Sequence, residues 1–214
     1  MPVQTEKQSE LNQYVVTYIL MAINIAVYIV MLICKASPDD PDSMIRWGAM
    51  FSPLVLSGEW WRIITACFLH FNATHLMSNM IVLFALGRLD EPALGKGRYA
   101  VIYLLSGILS NIISMVFHVA TGQIVVSAGA SGAIYGLLGA MACLAFFGKS
   151  GIGGIYKKRI PLMLVLVIAG SIFGEPNVDF VGHISGLLIG FAITFIIMPR
   201  KQRELEKNED TTLC

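Results

Sequence analysis

Charged residues are scarce in this chain. They make up 14% of its 214 residues, against roughly 25% in an ordinary soluble domain. Hydrophobic residues reach 56%, and the mean hydropathy is +0.70. This composition argues against a water-soluble protein and indicates one compact domain of several membrane-spanning helices. The formal net charge of +1 says nothing about partners, and we expect no nucleic-acid partner.

Cysteine is also rare, and its positions argue against two further classes of protein. Cys34, Cys67, Cys143 and Cys214 are scattered along the chain. They show neither the spacing of metal ligands nor the pattern of a disulfide framework. We therefore expect no metal site and no cofactor. A cleavable signal peptide is not expected either, because the first apolar run is too long and no clear small-x-small site follows it.

Long apolar runs are what the chain has in abundance. A bilayer crossing needs about 20 predominantly apolar residues, and six runs are candidates: 14–34, 75–89, 99–119, 131–147, 160–173 and 178–198. The second and fifth are short, which suits helices that are only partly exposed to lipid. The sequence therefore predicts an all-α membrane protein. Its six-helix bundle covers residues 14–198, between an N-terminal segment, 1–13, and a charged tail, 199–214.

Lysine and arginine are divided unevenly between the two sides of such a bundle. Six spans place twelve of them on the side shared by both termini and three on the other side. Positive residues concentrate on the cytoplasmic side of a membrane. We therefore predict a multi-pass protein of the cell membrane with both termini in the cytoplasm.

The first loop, residues 35–73, is long and too polar to span, yet it contains all three tryptophans, Trp47, Trp60 and Trp61. Tryptophan favours the interface between membrane and water. We expect the loop to lie partly inserted at the outer interface. For Arg62 we expect a structural role, on lipid headgroups or on a loop carbonyl.

Polar side chains lie at the outer ends of three predicted spans. His75 and Asn79 are four residues apart, so they share one helix face. Ser131 opens the fourth span, and His183 lies five residues into the sixth, which is roughly 8 Å along a helix. Because these three spans all start on the outer side, the four residues are expected at a similar depth.

Small residues recur at every fourth position in two of these spans: Gly132, Gly136 and Ala140, and Gly182, Gly186 and Gly190. Such stripes let transmembrane helices approach backbone to backbone. Packing the two stripes together would bring Ser131 close to His183. Nucleophilic catalysis needs a histidine beside a serine, because the hydroxyl is a poor nucleophile until a base removes its proton.

Each of these residues also has an ordinary structural interpretation. Ser131 alone is more often a packing residue, and His183 can be a hydrogen-bonded core residue. His75 and Asn79 can join helices through hydrogen bonds. Their combination at one depth favours catalysis. A serine that opens a helix also lies where unpaired N–H groups and the macrodipole favour a negative oxygen.

Four short motifs together resemble the rhomboid family of intramembrane serine proteases. They are GASG followed by a tyrosine, a histidine followed by SG in the last span, H-x4-H-x3-N around the start of the second span, and GEWWR in the first loop. The similarity runs from about Trp47 to the end of the sixth span.

The resemblance implies an endopeptidase that cleaves transmembrane segments of membrane proteins near the outer face, through a dyad of Ser131 and His183. It implies an oxyanion hole formed by His75, Asn79 and the backbone N–H of Ser131. It also implies that Tyr135 packs on the His183 ring. The expected partners are transmembrane protein substrates and the lipid bilayer, and the sequence carries no indication of an oligomeric state.

Two further features complete the predicted site. Gly129 leaves room for a substrate backbone and for the tight turn before Ser131. The resemblance implies a substrate gate at the fifth span, which we place between Pro161 at its inner start and Gly174 at its outer end.

Asp179, one turn before His183, has two interpretations. As a third catalytic residue it would support the imidazole, and as a first-turn acid it would stabilise the N-terminus of the sixth helix. A dyad favours the second. Asn177 is a candidate cap for the same helix. His118 has no matching partner in the sequence, and His70 lines either the site or the loop.

Two other functions need consideration. A non-catalytic rhomboid-like protein would bind transmembrane helices without cutting them, which does not require both Ser131 and His183. A transporter or channel would use the histidines as a proton path. That path needs a matching chain of ionisable groups in the inner half as well, and the predicted spans show no such chain there.

Overall fold

The computed structural model describes residues 12–148, 154–163, 165 and 179–198. Most of these residues are helical. The first long helix, α1 (Val15–Ile33), matches the first predicted span to within one residue at each end. It packs mainly against the second long helix of the chain.

The first loop folds into short elements. They are α2 (Pro41–Arg46), strand β1 (Met50–Phe51), α3 (Ser52–Leu56), α4 (Arg62–Thr65) and a 3-10 turn (Ala66–Phe68). Trp60 and Trp61 are 63% and 46% exposed, which agrees with a position at the membrane interface.

Arg62 holds this loop together from the inside. Its side chain is buried, and its Nη1 donates hydrogen bonds to the carbonyl oxygens of Ile45 at 2.6 Å and Ala49 at 3.1 Å. Its Nε donates to the carboxylate of Glu59 at 2.7 Å. Of the two roles predicted for Arg62, the structure shows the bond to loop carbonyls.

The next two helices are α5 (Ala73–Leu94) and α6 (Lys96–Ala120). Only Gly95 separates them, and its φ of +79° is a conformation that glycine adopts without steric cost. Helix α5 extends beyond the predicted second span, and the acidic residues that follow position 89 belong to the helix.

Glu91 explains why this acidic stretch stays folded. Its carboxylate accepts hydrogen bonds from the backbone N–H groups of Val16 and Thr17 and from the Thr17 hydroxyl, at 2.7–2.9 Å. It thereby caps α1, whose first N–H groups have no partner within their own helix. Asp90 and Glu91 are both buried, although both lie beyond the end of the predicted second span.

Strand β2 (Val126–Ser127) pairs antiparallel with β1, with Met50 opposite Ser127. This two-residue ladder is a small departure from the all-α prediction. It joins the first loop to the segment that leads into α7 (Ser131–Phe147), which begins and ends where the fourth span was predicted.

A helix over residues 154–163, α8, comes next, followed after an interval by α9 (Phe180–Ile197). Pro161, which the sequence places at the inner start of the fifth span, lies within α8, and its position at the inner side of the membrane stays a prediction. Gly174 and most of the fifth predicted span lie outside the described residues. The Tyr156 hydroxyl ties α8 to α5 by donating to the Leu89 carbonyl oxygen at 2.8 Å.

Among the residues that the structure describes, three helices are long and apolar enough to cross a membrane: α1, α6 and α9. The segments Arg62–Phe68 and Ala73–Leu94, bent by 86° to each other, form a fourth candidate, and α7 is apolar but shorter. These elements confirm the prediction of an all-α membrane bundle. The count of six spans stays a prediction.

Glycines allow α9 to pack directly on α7. A β-carbon on Gly186 would overlap the carbonyl group of Gly132, and one on Gly190 would overlap that of Gly136. The two predicted stripes therefore meet, with the helices running parallel. Gly182 differs from the other two, because a β-carbon there would strike the carboxylate of Asp179 at the start of its own helix.

Candidate active site

Ser131 opens α7 at a helix N-terminus without a side-chain cap. The preceding residue, Ala130, has no side-chain acceptor, and the first N–H groups of a helix have no partner within the helix. By contrast, Asn72 caps α5 and Asp179 caps α9 with side-chain oxygens. The start of α7 therefore presents backbone donors beside the Ser131 hydroxyl.

Gly129 brings His75 close to the chain that leads into Ser131. Its φ is +144°, which L side chains rarely adopt. A β-carbon at this position would lie 2.8 Å from Cε1 and 3.0 Å from Nε2 of His75, and 3.6 Å from the Ser131 Oγ. The imidazole of His75 and the hydroxyl of Ser131 thus border the same small space, which only a glycine leaves open.

Helix α5 carries His75 and Asn79 in its first two turns. The Asn72 side chain fixes the start of this helix by accepting a hydrogen bond from the His75 backbone N–H at 2.7 Å. Both His75 and Asn79 are buried. The Asn79 Nδ2 has no acceptor among the residues that the structure describes. A buried donor without a partner calls for an explanation, and a bound ligand oxygen would supply one.

His183 lies in the first turn of α9 and stacks on Tyr135 of α7. The two ring centroids are 4.1 Å apart and the ring planes are inclined by 13°, which is the contact that the resemblance implies. Tyr135 lies one turn after Ser131 on the same helix face. The stack therefore holds the imidazole on the side of α7 that carries Ser131.

The His183 ring is nearly buried, and one of its two nitrogens has no visible hydrogen bond among the described residues. It is 9% exposed, and its Nδ1 has no hydrogen-bond partner in the described part of the chain. A carboxylate bound to this nitrogen would be the mark of a catalytic triad, and the structure places none there among the residues it describes.

Asp179 is the N-cap of α9. Its Oδ1 accepts a hydrogen bond from the Gly182 backbone N–H at 2.8 Å, which agrees with the interpretation of Asp179 as an acid that stabilises the start of this helix. Asn177, the candidate cap from the sequence, lies outside the described residues. The Asp179 carboxylate also accepts a hydrogen bond from Ser114 on α6, which the sequence could not show.

Two histidines outside the predicted site have neighbours. His118 was expected to lack a partner, but its Nδ1 lies 2.8 Å from the Gln123 Oε1 and its Nε2 lies 3.8 Å from the Asp179 Oδ1. His70 is fully buried in the connection before α5, and its ring centroid lies 5.0 Å from that of His75. His70 therefore packs behind the site from the side of the first loop.

One face of α6 carries small residues that pack on α7, and the sequence analysis did not predict this contact. A β-carbon on Gly136 would overlap Ser106, and one on Gly132 would overlap the Ser110 hydroxyl. Ser106, Ser110 and Ser114 are all buried and recur at every fourth position, which is the same signal as the glycine stripes. Helix α7 is therefore held closely between α6 and α9.

Within the described ranges, no group of three or more His, Cys, Asp or Glu side chains is arranged to hold a metal ion.

Comparison with known proteins gives a consistent family match. Residues 57–200 match the model of the Rhomboid domain. The chain is 34% identical to rhomboid protease GluP of Bacillus subtilis over 178 residues. This aligned region covers 82% of this chain and 33% of GluP. It is 30% identical to rhomboid protease AarA of Providencia stuartii over an alignment of 223 residues. This alignment covers 94% of this chain and 79% of AarA.

A eukaryotic relative shows the same similarity. Rhomboid-like protease 2 of Toxoplasma gondii is 34% identical over 183 residues, or 81% of this chain and 62% of that protein. The chain thus spans a third of the length of GluP and most of the length of AarA.

Proposed function

Because the chain belongs to the rhomboid family, we propose that it is an intramembrane serine endopeptidase with Ser131 as nucleophile and His183 as general base. The observation that carries this proposal is the stack of His183 on Tyr135, one turn from Ser131. The stack supports an imidazole on the helix face that Ser131 opens, in a family whose named relatives include proteases.

The first chemical step forms an acyl-enzyme. His183 takes the proton of the Ser131 hydroxyl as its Oγ attacks the scissile carbonyl, and it then gives that proton to the leaving amine. A water molecule, deprotonated by the same imidazole, hydrolyses the ester and regenerates Ser131. Because the Nδ1 of His183 has no partner among the described residues, the stacked Tyr135 ring takes over the orienting role that a triad carboxylate would have.

The oxyanion of the tetrahedral intermediate would bind at the uncapped start of α7. The N–H groups there and the positive end of the helix dipole favour a negative oxygen. Asn79 offers a buried Nδ2 donor that has no acceptor among the described residues, and the His75 ring borders the same space as the Ser131 hydroxyl. Donors held in place before the reaction stabilise developing charge most effectively.

The substrates would be transmembrane segments of other membrane proteins. A peptide bond within a stable helix is shielded, so the substrate must unwind locally, and unwinding in hydrocarbon leaves backbone groups unpaired at several kcal/mol each. A site near the outer face, where water is available, lowers this cost. We therefore expect cuts near the outer end of a span, at small residues, with Gly or Pro nearby and access beside α8.

The protein is a multi-pass membrane protein, and its orientation follows from charge. The excess of lysine and arginine on one side supports cytoplasmic termini in a cell membrane. In this orientation the protease domain is residues 14–198, flanked by cytoplasmic segments 1–13 and 199–214.

A non-catalytic protein that binds transmembrane helices is the alternative. Such a protein needs neither a serine at an uncapped helix start nor an imidazole stacked at the same end of the bundle. The presence of both at the same end of the bundle favours the protease.

Cleavage-site mapping tests the proposal. Purified protein in liposomes would be incubated with single-span substrates whose helix-weakening Gly or Pro residues are replaced one at a time by Leu, and products would be identified by mass spectrometry. We expect cuts near the outer end, and rates that fall as the helix is strengthened. Cuts at the cytoplasmic end, or equal rates across the series, would contradict the substrate model, and an equally active Ser131→Ala variant would contradict the dyad.

A further inference from the structure

A polar cluster joins the outer end of α6 to the start of α9, outside the residues assigned above to the chemistry. Its members are Ser114 and His118 on α6 and Asp179 at the cap of α9. The Ser114 Oγ donates to the Asp179 Oδ2 at 2.5 Å, and the His118 Nε2 lies 3.8 Å from the Asp179 Oδ1. Ser114 is buried, and the Asp179 side chain is 20% exposed.

Both oxygens of the Asp179 carboxylate have partners away from the His183 ring. Oδ1 accepts from the Gly182 backbone N–H at 2.8 Å, and Oδ2 accepts from Ser114. A β-carbon on Gly182 would lie 2.7 Å from Oδ2, so a glycine there lets the carboxylate fold over the first turn. Asp179 therefore cannot orient the imidazole as a triad carboxylate does, but it connects the start of α9 to α6.

The start of α9 needs such a connection because His183 lies in its first turn. Helix ends fray, and the first N–H groups lack partners unless a cap supplies them. The His183 backbone N–H donates to the Asp179 carbonyl oxygen at 3.0 Å, so any displacement of Asp179 is passed directly to the base. Tyr135 fixes the plane of the ring, but it does not fix the position of the turn along the helix axis.

We propose that Asp179, held by Ser114 and flanked by His118, is a positioning residue that sets the place of His183 relative to Ser131. The inference rests on the proposed dyad. It assigns to α6 a part in the reaction, since this helix holds α7 through Ser106 and Ser110 and holds the start of α9 through Ser114. Helix α6 thus fixes both halves of the dyad to one support.

The test compares two substitutions of the same residue. Asp179→Ala removes the cap and the bond to Ser114, and a displacement of about 1 Å at a reacting group can cost about 100-fold in rate. We expect a loss of about 10–100-fold in kcat with little change in KM. Asp179→Asn keeps a side-chain oxygen, and asparagine caps helices as well as aspartate does. It should therefore recover most of the loss.

A triad role predicts the opposite pattern. Removing the charge of a triad carboxylate while keeping its shape costs about 10⁴ in kcat, so Asp179→Asn would then be nearly inactive. Ser114→Ala, which leaves the cap itself intact, should lower kcat by a few fold. In the double variant with Asp179→Ala it should add nothing, because both changes break one connection.

The control is Thr194→Ala, which removes a buried hydroxyl from the same helix. The Thr194 Oγ1 donates to the Gly190 carbonyl oxygen one turn away, and Thr194 lies near the opposite end of α9 from Asp179. The readouts are kcat and KM for a single-span substrate and the rate at which a fluorophosphonate labels Ser131, each referred to the amount of folded protein.

The outcomes separate this inference from the proposed function. Absence of labelling and cleavage in the unmodified protein would reject the dyad itself. An active protein in which Asp179→Ala lowers the melting temperature but labels as fast as Thr194→Ala would reject positioning, as would a nearly inactive Asp179→Asn. Should Asp179→Ala fail to fold, an unchanged kcat in Ser114→Ala would also overturn the inference.

Discussion

The two parallel helices that carry Ser131 and His183 begin at the same end of the bundle, but their N-termini are built differently. Helix α9 is closed by the carboxylate of Asp179, which is itself bonded to Ser114 of α6. Helix α7 follows Ala130 and has no side-chain cap. The closed end suits a residue that must be held still, and the open end suits one beside which a negative charge develops.

The largest effect should come from removing either member of the dyad. In a serine protease, loss of the nucleophile or of its base costs about 10⁶ in kcat. We expect Ser131→Ala and His183→Ala to reduce cleavage of a single-span substrate to background while the melting temperature stays within a few degrees. Cleavage assays on the two variants, with Thr194→Ala as the folded control, check this. Wild-type turnover by Ser131→Ala would mean that α7 carries no nucleophile.

The next largest loss of activity should come from removing a hydrogen-bond donor, Asn79, that we expect to bind the oxyanion together with the start of α7. Loss of one oxyanion donor typically costs about 10²–10³ in kcat, and backbone N–H groups share the task here. We therefore expect Asn79→Ala to lower kcat by about 100-fold and to change KM little. Steady-state kinetics separate the two constants. A raised KM with unchanged kcat would make Asn79 a residue for packing or docking.

A smaller loss of activity should follow when an added side chain pushes α7 and α9 apart. A β-carbon on Gly190 would overlap the Gly136 carbonyl group, and overpacking typically costs about 1–3 kcal/mol in stability. We expect Gly190→Ala to lower the melting temperature and to reduce kcat by about 10-fold.

The matched control for this change is Gly97→Ala in the first turn of α6, where nothing lies within 4 Å of an added β-carbon. Alanine favours a helix over glycine by about 1 kcal/mol, so this variant should be as stable as the parent or more so. Equal behaviour of the two variants would show that the α7–α9 contact is not needed.

The smallest effect on the rate should come from a cap far from the chemistry. Glu91 closes the N-terminus of α1 with three hydrogen bonds, and bonds to a charged group contribute about 1.5–3 kcal/mol each. Glu91→Ala should therefore lower the free energy of unfolding by at least that amount. The kcat of the folded fraction should not change. Thermal unfolding and active-site titration measure the two quantities, and a reduced kcat per titrated site would show that this distant cap also tunes the dyad.

Much of this arrangement was predictable from residue type and spacing. The change from small residues to an apolar run placed the start of α7 at Ser131, and the glycine stripes predicted its contact with α9. The stack of Tyr135 on His183 was implied by the family resemblance, which composition alone does not supply.

The errors arose where a partner from another element decides the structure. The sequence after position 89 resembled a loop, but Glu91 is held within α5 because it caps α1. The sequence left two interpretations open for Asp179, and its bonds to Gly182 and to Ser114 on another helix identify it as the cap of α9. No local pattern contains these distant contacts.

The most direct test of the central claim is to find which residue reacts with a serine-directed fluorophosphonate. The purified protein would be labelled in liposomes, digested and analysed by mass spectrometry. We predict one adduct, on Ser131, that is absent in Ser131→Ala, strongly reduced in His183→Ala and retained in Thr194→Ala. An adduct on another residue, or equal labelling of Ser131 in the His183→Ala variant, would contradict a dyad formed between the open start of α7 and the capped start of α9.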